Sequence, residues 1–123
     1  MAHIEENVLK SIVRTIVNTA SPHKVILFGS AARGQALEGS DLDILVMISG
    51  TIGPVRSRYE LYTDLMRRLA RFGVVIDLLL FTQREMKEWQ PYRNHVISRA
   101  MREGKVLYEK AQARRRAAAK STR

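Results

Sequence analysis

The sequence predicts a small α/β (α+β) domain in which a mixed sheet of three or more strands is flanked by helices. Three short apolar runs, residues 25–28, 44–48 and 74–81, have the length and continuity of buried strands. The segments around them repeat apolar residues at helical spacing. With 123 residues, 46% of them hydrophobic, the chain has room for one such core.

The first half of the chain alternates helix, strand, turn and strand. Residues 3–19 carry apolar side chains at helical spacing, and Ser21-Pro22 ends this helix. Gly29 stops the first strand, and the three glycines in residues 29–40 predict a turn with at most a short helix. Residues 41–48 then return to an apolar run that carboxylates interrupt only at its start.

The second half adds helices and an extended segment. The spacing Ser57-x-x-Glu60 is that of a capping box and opens a helix that ends at Gly73. The predicted apolar face of that helix consists of Tyr62, Leu65, Leu69 and Phe72. Thr82-x-x-Glu85 predicts a second, short helix. Pro91 suits the first turn of a further helix that runs to about Arg102, before an extended segment at 106–108.

The formal charge of +9 is unevenly distributed. Residues 1–109 contain 15 basic and 12 acidic residues, whereas residues 110–123 contain six basic and no acidic ones. We therefore divide the chain into a domain, 1–109, and a basic C-terminal tail, 110–123. Such a tail is either a solvated appendage or a weak nucleic-acid-binding segment, so the charge alone does not identify a nucleic-acid-binding protein.

The composition also bounds the environment of the protein. The chain has no cysteine, which excludes disulfides and thiolate metal sites. Its N-terminus lacks the basic region and long apolar run of a signal peptide, and no apolar stretch reaches the roughly 18 residues of a membrane span. We expect a cytoplasmic protein that does not contact a membrane.

Three aspartates lie at the start of an apolar run or interrupt one. Asp41 and Asp43 lie two residues apart, so a strand would turn both carboxylates to one face, where they could share a cation. Asp77 interrupts the third run, where an unpaired carboxylate would be costly to bury. Together they could form an oxygen-ligand site suited to Mg²⁺. The alternative for each is a strand-end residue that caps local backbone groups.

The Gly29-Ser30 turn follows the first strand directly. Glycine has no side chain, so the backbone can approach a phosphate closely, with the serine hydroxyl and amide groups as donors. Arg33 could pair with a carboxylate or contact a phosphate oxygen. Taken alone, a glycine after a strand is more often ordinary turn chemistry.

Linked together, these segments resemble a known family. Gly29-Ser-Ala-Ala-Arg-Gly34, then Ser40-Asp-Leu-Asp43, and finally Asp77 between Ile76 and Leu78 resemble the signature of the DNA polymerase β-like nucleotidyltransferase superfamily. The chain is most similar to the minimal, stand-alone branch of that superfamily, including its closing segment at residues 103–108. The resemblance covers nearly all of residues 1–109.

The resemblance implies a polymerase β-like fold and a Mg²⁺-dependent nucleotidyltransferase with ATP as its substrate. Asp41, Asp43 and Asp77 would be catalytic and would bind one or two Mg²⁺ ions, with Asp77 helping to activate an acceptor hydroxyl. The implied nucleotide-binding residues are Gly29, Ser30, Arg33, Gly34 and Ser40.

The resemblance also implies a partner, because 123 residues leave no room for an acceptor-binding domain. The main hypothesis is transfer of AMP to a small helical HEPN-type protein, as the antitoxin of a toxin-antitoxin pair, with self-association as a further route to a complete site. One alternative is a nucleotide-binding or partner-binding module with little turnover. Another is transfer to a nucleic acid or small molecule with a partner subunit, in which the basic tail could contact nucleic acid.

Overall fold

The structure is a computed structural model that describes residues 6–32, 41–49 and 57–121. Its elements follow the predicted order. They are α1 (Glu6–Ala20), β1 (Lys24–Phe28), α2 (Gly29–Ala32), β2 (Leu42–Ile48), α3 (Arg58–Leu69) with a 3-10 turn (Ala70–Phe72), β3 (Ile76–Thr82), α4 (Gln83–Trp89), α5 (Val96–Glu103), β4 (Lys105–Glu109) and α6 (Lys110–Ser121).

The strands form one mixed sheet in the order β3-β2-β1-β4. Strand β1 runs antiparallel to both β2 and β4, whereas β2 and β3 are parallel. The predicted mixed sheet is confirmed, and its fourth strand is the extended segment expected at 106–108. Strand β4 forms an edge where Val106 remains 48% exposed, so it lacks the continuous apolar run of a central strand.

The sheet has an apolar layer on each face. The larger layer packs α1 and α3 against the sheet and is built around Ile12, Ile16, Ile44, Val46, Leu61, Leu65 and Leu69. The second layer lies under α4 and α5 and contains Ile26, Leu45, Met47, Met86, Ile97 and Ala100. Side chains alternate along a strand, so Asp43 shares the face of Leu45 and Met47. The carboxylate therefore points towards the α4–α5 side of the sheet.

The prediction of which side chains of α3 face the core is partly wrong. Leu61, Leu65 and Leu69 are buried at four-residue steps, whereas Tyr62 is 39% exposed. The buried leucines follow the stripe that packs against α1 and the sheet, which displaces Tyr62 to the rim.

The helix predicted from Pro91 begins later, at Val96. His95 is its N-cap, because the His95 Nδ1 atom accepts a hydrogen bond from the Ile97 amide at 3.1 Å. Pro91 lies in the preceding turn, where the Tyr92 amide donates to the Trp89 carbonyl at 3.0 Å. The Trp89 and His95 rings stack across this turn, with centroids 4.5 Å apart and planes 15° apart.

The basic tail forms α6 up to Ser121. Its Lys110 amide donates to the His23 carbonyl at 2.9 Å, and residues 111–119 of the helix are exposed. Within the described ranges, no helix is long and apolar enough to cross a membrane.

The capping box predicted between β3 and α4 is confirmed. The Thr82 hydroxyl accepts from the Glu85 amide at 3.1 Å, and a Glu85 carboxylate oxygen accepts from the Thr82 amide at 2.8 Å. Arg58 on α3 forms an ion pair with the same carboxylate at 2.9 Å. One capping group therefore links the start of α4 to α3.

Replacing Thr82 with alanine is expected to lower the free energy of unfolding by about 1 kcal/mol, because an amide at the start of α4 loses its acceptor. Denaturant titration of the two proteins measures this difference. Thr82→Ser keeps the hydroxyl and is the matched control. An equal loss in the serine variant would mean that the methyl group of Thr82 matters and the cap does not.

Candidate active site

Asp43 and Asp77 lie side by side on neighbouring strands, β2 in the interior of the sheet and β3 at its edge. The parallel register of β2 and β3 pairs Asp43 with Asp77, and the antiparallel register of β1 and β2 pairs Asp43 with Phe28. The Leu42 amide donates to the Val75 carbonyl at 2.9 Å, which fixes this register at the start of both strands. Directly paired residues point to the same face of a sheet. The two carboxylates therefore adjoin each other at one end of the sheet.

The third predicted carboxylate, Asp41, lies just before β2 and is exposed. Asp41 therefore lies outside the strand that the sequence analysis predicted for residues 41–48. Burial raises the pKa of Asp43, and the negative charges of Asp77 and Asp41, with a hydrogen bond to Asp77, raise it further. A cation beside Asp43 would offset this accumulation of negative charge.

Asp77 itself is exposed, in contrast to the burial expected from its apolar neighbours. Along the same face of β3, exposure falls from Asp77 to the half-buried Leu79 and Phe81. Helices α4 and α5 therefore cover the far end of this face and leave the Asp77 end open. An apolar run cannot reveal this difference, because it does not show where a covering helix stops.

The donor chemistry of these residues suits Mg²⁺, which binds carboxylate oxygens and substrate phosphates. In the stretches that the structure describes, no group of three His, Cys, Asp or Glu side chains is arranged to hold a metal ion. The structure thus brings Asp43 and Asp77 together and adds the charge of Asp41. The three-residue metal site stays a prediction.

The Gly29 backbone lies directly against Asp43. Gly29 has a φ of +74°, in the left-handed region that favours glycine. A Cβ atom added there would overlap Asp43 Oδ2 and lie 3.2 Å from its Cγ. The turn after β1 therefore approaches the carboxylate as closely as a backbone can.

The remaining residues of the predicted nucleotide site are only partly described. Ser30 lies in α2, and its side chain is outside the described part of the structure, as are Arg33, Gly34 and Ser40. Their predicted contacts with a nucleotide remain predictions.

A cleft of about 180 Å³ opens beside Gly29 and Asp43. Its opposite wall is α5, which contributes Val96, Arg99 and Glu103. The sequence analysis did not predict that residues of α5 line the candidate site. The three residues share one helical face at spacings of three and four, but only the packing of α5 on the sheet shows what that face opposes.

Comparison with known proteins identifies the family. The polymerase beta nucleotidyltransferase family matches residues 10–113. A protein of Methanocaldococcus jannaschii with the provisional name of protein adenylyltransferase is 34% identical over 110 residues, which cover 85% of this chain and 98% of that protein. The chain belongs to the polymerase β nucleotidyltransferase family, and the protein is a nucleotidyltransferase.

Solved structures agree on the fold. A crystal structure from Sulfolobus solfataricus, provisionally named a nucleotidyltransferase, gives a TM-score of 0.52 at 22% identity and covers 85% of this chain and 80% of its own. A toxin-antitoxin structure with AMP-PNP gives a TM-score of 0.51 at 23% identity, covering 92% and 83%. The predicted polymerase β-like nucleotidyltransferase fold is confirmed.

Proposed function

We propose that the protein transfers AMP from ATP to a hydroxyl group of a partner protein in a Mg²⁺-dependent reaction, as the antitoxin of a HEPN-type pair. The observation that carries the catalytic part is the register pairing of Asp43 with Asp77 beside the Gly29 backbone. Two adjoining carboxylates and a glycine turn are what binding a metal-complexed triphosphate requires.

The proposed chemistry is an in-line displacement at the α-phosphorus. The acceptor oxygen forms a new bond to this phosphorus, the bond to the oxygen that bridges the α- and β-phosphates breaks, and pyrophosphate leaves. The exposed Asp77 carboxylate accepts the acceptor's proton and releases it to solvent. This chain's part is to position the reactants, which can supply a large share of the rate.

Asp41, Asp43 and Asp77 would hold Mg²⁺ in this proposal. When bound, the metal neutralises phosphate charge and stabilises the attacking and departing oxygens. Gly29 and Ser30 would contact the outer phosphates; Arg33, Gly34 and Ser40 would support them. The raised pKa of Asp43 supports a cation at this position, because a cation favours the charged form that crowding of carboxylates disfavours.

The choice of AMP and of a protein acceptor is supported by the relatives. The Methanocaldococcus relative carries the name of a protein adenylyltransferase, and one protein of the same fold was crystallised as a toxin-antitoxin with AMP-PNP. The open end of the sheet at Asp77 leaves access for an acceptor side chain.

Calorimetric titration with each of the four ribonucleoside triphosphates, with and without Mg²⁺, tests the site before the acceptor is known. We expect ATP to bind only when Mg²⁺ is present, and Asp43→Asn to abolish this binding, because the substitution removes a metal-ligating charge. Binding that is independent of both Mg²⁺ and Asp43 would contradict the proposal.

The acceptor is tested by incubation with a candidate helical partner and radiolabelled ATP. Label at the α-phosphate should become covalently attached to the partner, whereas label at the γ-phosphate should leave with pyrophosphate. Attachment of the γ-label would indicate phosphoryl transfer and would contradict AMP transfer.

A further inference from the structure

The Arg99 guanidinium lines the cleft beside the proposed catalytic carboxylates. Arg99 lies on the exposed face of α5, opposite Gly29 and Asp43. Among the described side chains, none forms a hydrogen bond or ion pair with its guanidinium. Neighbouring arginines differ: Arg102 donates to the Ser98 hydroxyl at 2.7 Å, and Arg84 pairs with Glu88 at 3.4 Å.

The size of the cleft limits what it can hold. At about 180 Å³ it is smaller than the roughly 300–1,000 Å³ of pockets that enclose a whole drug-sized ligand. It therefore suits a part of a nucleotide. Phe28, the aromatic ring among the described lining residues, is half-buried and packs against the core, which makes the cleft a poor place to stack a base.

The residues that line the cleft favour phosphate as the part of the nucleotide that binds there. A guanidinium presents a planar fork of donors that matches two phosphate oxygens, and it keeps its charge at any physiological pH. Across the cleft, Gly29 has no side chain to obstruct an approaching phosphate. Among the described lining residues, the other charged side chains, Asp43 and Glu103, are negative and would repel an anion that had no cation beside it. Arg99 supplies that cation from the protein.

We propose that Arg99 binds the β- and γ-phosphates of the nucleotide and holds the departing pyrophosphate. The proposal rests on the nucleotide site described under the proposed function and adds to it a residue outside the Gly-Ser and Asp-x-Asp segments. Helix α5 then forms a second wall of the triphosphate site, opposite the turn after β1.

Calorimetry with ATP and with AMP, both in Mg²⁺, separates the outer phosphates from the rest of the nucleotide. Arg99→Gln should raise the Kd for ATP about tenfold, the size of one charge-assisted hydrogen bond. It should change the Kd for AMP less than about twofold, since AMP lacks both outer phosphates. Arg99→Lys keeps the charge without the fork and should fall between wild type and Arg99→Gln.

Arg84→Gln is the matched control, because it removes the same charge from an exposed site on α4 and should change neither Kd. Unaltered ATP binding in Arg99→Gln, or an equal loss for ATP and AMP, would overturn the role of Arg99 while wild-type ATP binding kept the proposed function intact. Failure of the wild type to bind ATP would overturn both. Thermal melts verify folding, and Arg99→Lys carries the test if Arg99→Gln unfolds.

Discussion

Replacing Asp43 with asparagine is expected to lower the rate of AMP transfer by about a thousandfold or more. Asp43 is the carboxylate on which the site converges, since its register pairs it with Asp77 and the Gly29 backbone lies against it. Losing a group aimed at the charge that develops in a transition state costs about 10²–10³ in rate, and loss of a metal ligand adds to this. Single-turnover transfer of α-labelled AMP measures the effect.

The same substitution should stabilise the metal-free protein. The pKa of Asp43 is raised above its ordinary value of 3.8, so the folded state holds this proton more tightly than the unfolded chain. Stability therefore falls as the pH rises from about 3.8 through the raised pKa, and asparagine removes that loss at neutral pH. We therefore expect a higher Tm for Asp43→Asn than for the wild type at neutral pH in EDTA.

A lower rate of AMP transfer together with a higher Tm is the result expected for a functional carboxylate at position 43. A substitution that merely damaged the fold would lower both activity and Tm. If Asp43→Asn kept near-normal transfer, Asp43 would be a structural residue and the proposed site would be wrong.

Replacing Gly29 with alanine is expected to reduce AMP transfer by about a hundredfold, because a displacement of about 1 Å in a reacting group can cost that much. The new Cβ would overlap Asp43 Oδ2, and the backbone would be strained at a φ of +74°. The carboxylate and the turn must therefore move apart. The strain should also lower the free energy of unfolding by about 1–3 kcal/mol.

Gly73 provides the matched control for Gly29. It has a similar φ of +66°, but an added Cβ would meet no atom of the described residues within 4 Å. Gly73→Ala should therefore show only the backbone cost, about 1 kcal/mol, with unchanged transfer. Assay of both variants beside chemical denaturation separates the two effects. Equal transfer by the two variants would show that the close approach of Gly29 to Asp43 has no role in catalysis.

Much of the fold could be predicted because local patterns agree with the tertiary structure. The apolar runs became β1, β2 and β3, and the Thr82 capping box formed as its spacing indicates. The start of α5 could not be predicted, because the side chain of His95 supplies the cap and no common N-cap residue marks that position. Pro91 gave a misleading signal since proline suits turns as well as first helical turns.

The candidate site, like the fold, could be predicted from the sequence only in part. Asp43 and Asp77 could be identified from the sequence because an unpaired carboxylate is costly to bury among apolar residues. The parallel pairing of β2 and β3 then places the two side by side. Arg99 carries no such signal, because an arginine on an exposed helical face is ordinary. Its significance depends on α5 crossing the sheet beside Gly29, which is a property of the packing.

The stacking of Trp89 on His95 gives this chain a built-in optical reporter. Trp89 is the single tryptophan in the sequence, so the indole emission comes from one known place. Its partner ring caps α5, the helix that carries Arg99. A shift of α5 relative to α4 changes the environment of the indole, so fluorescence can follow the motion of this wall of the cleft without a label.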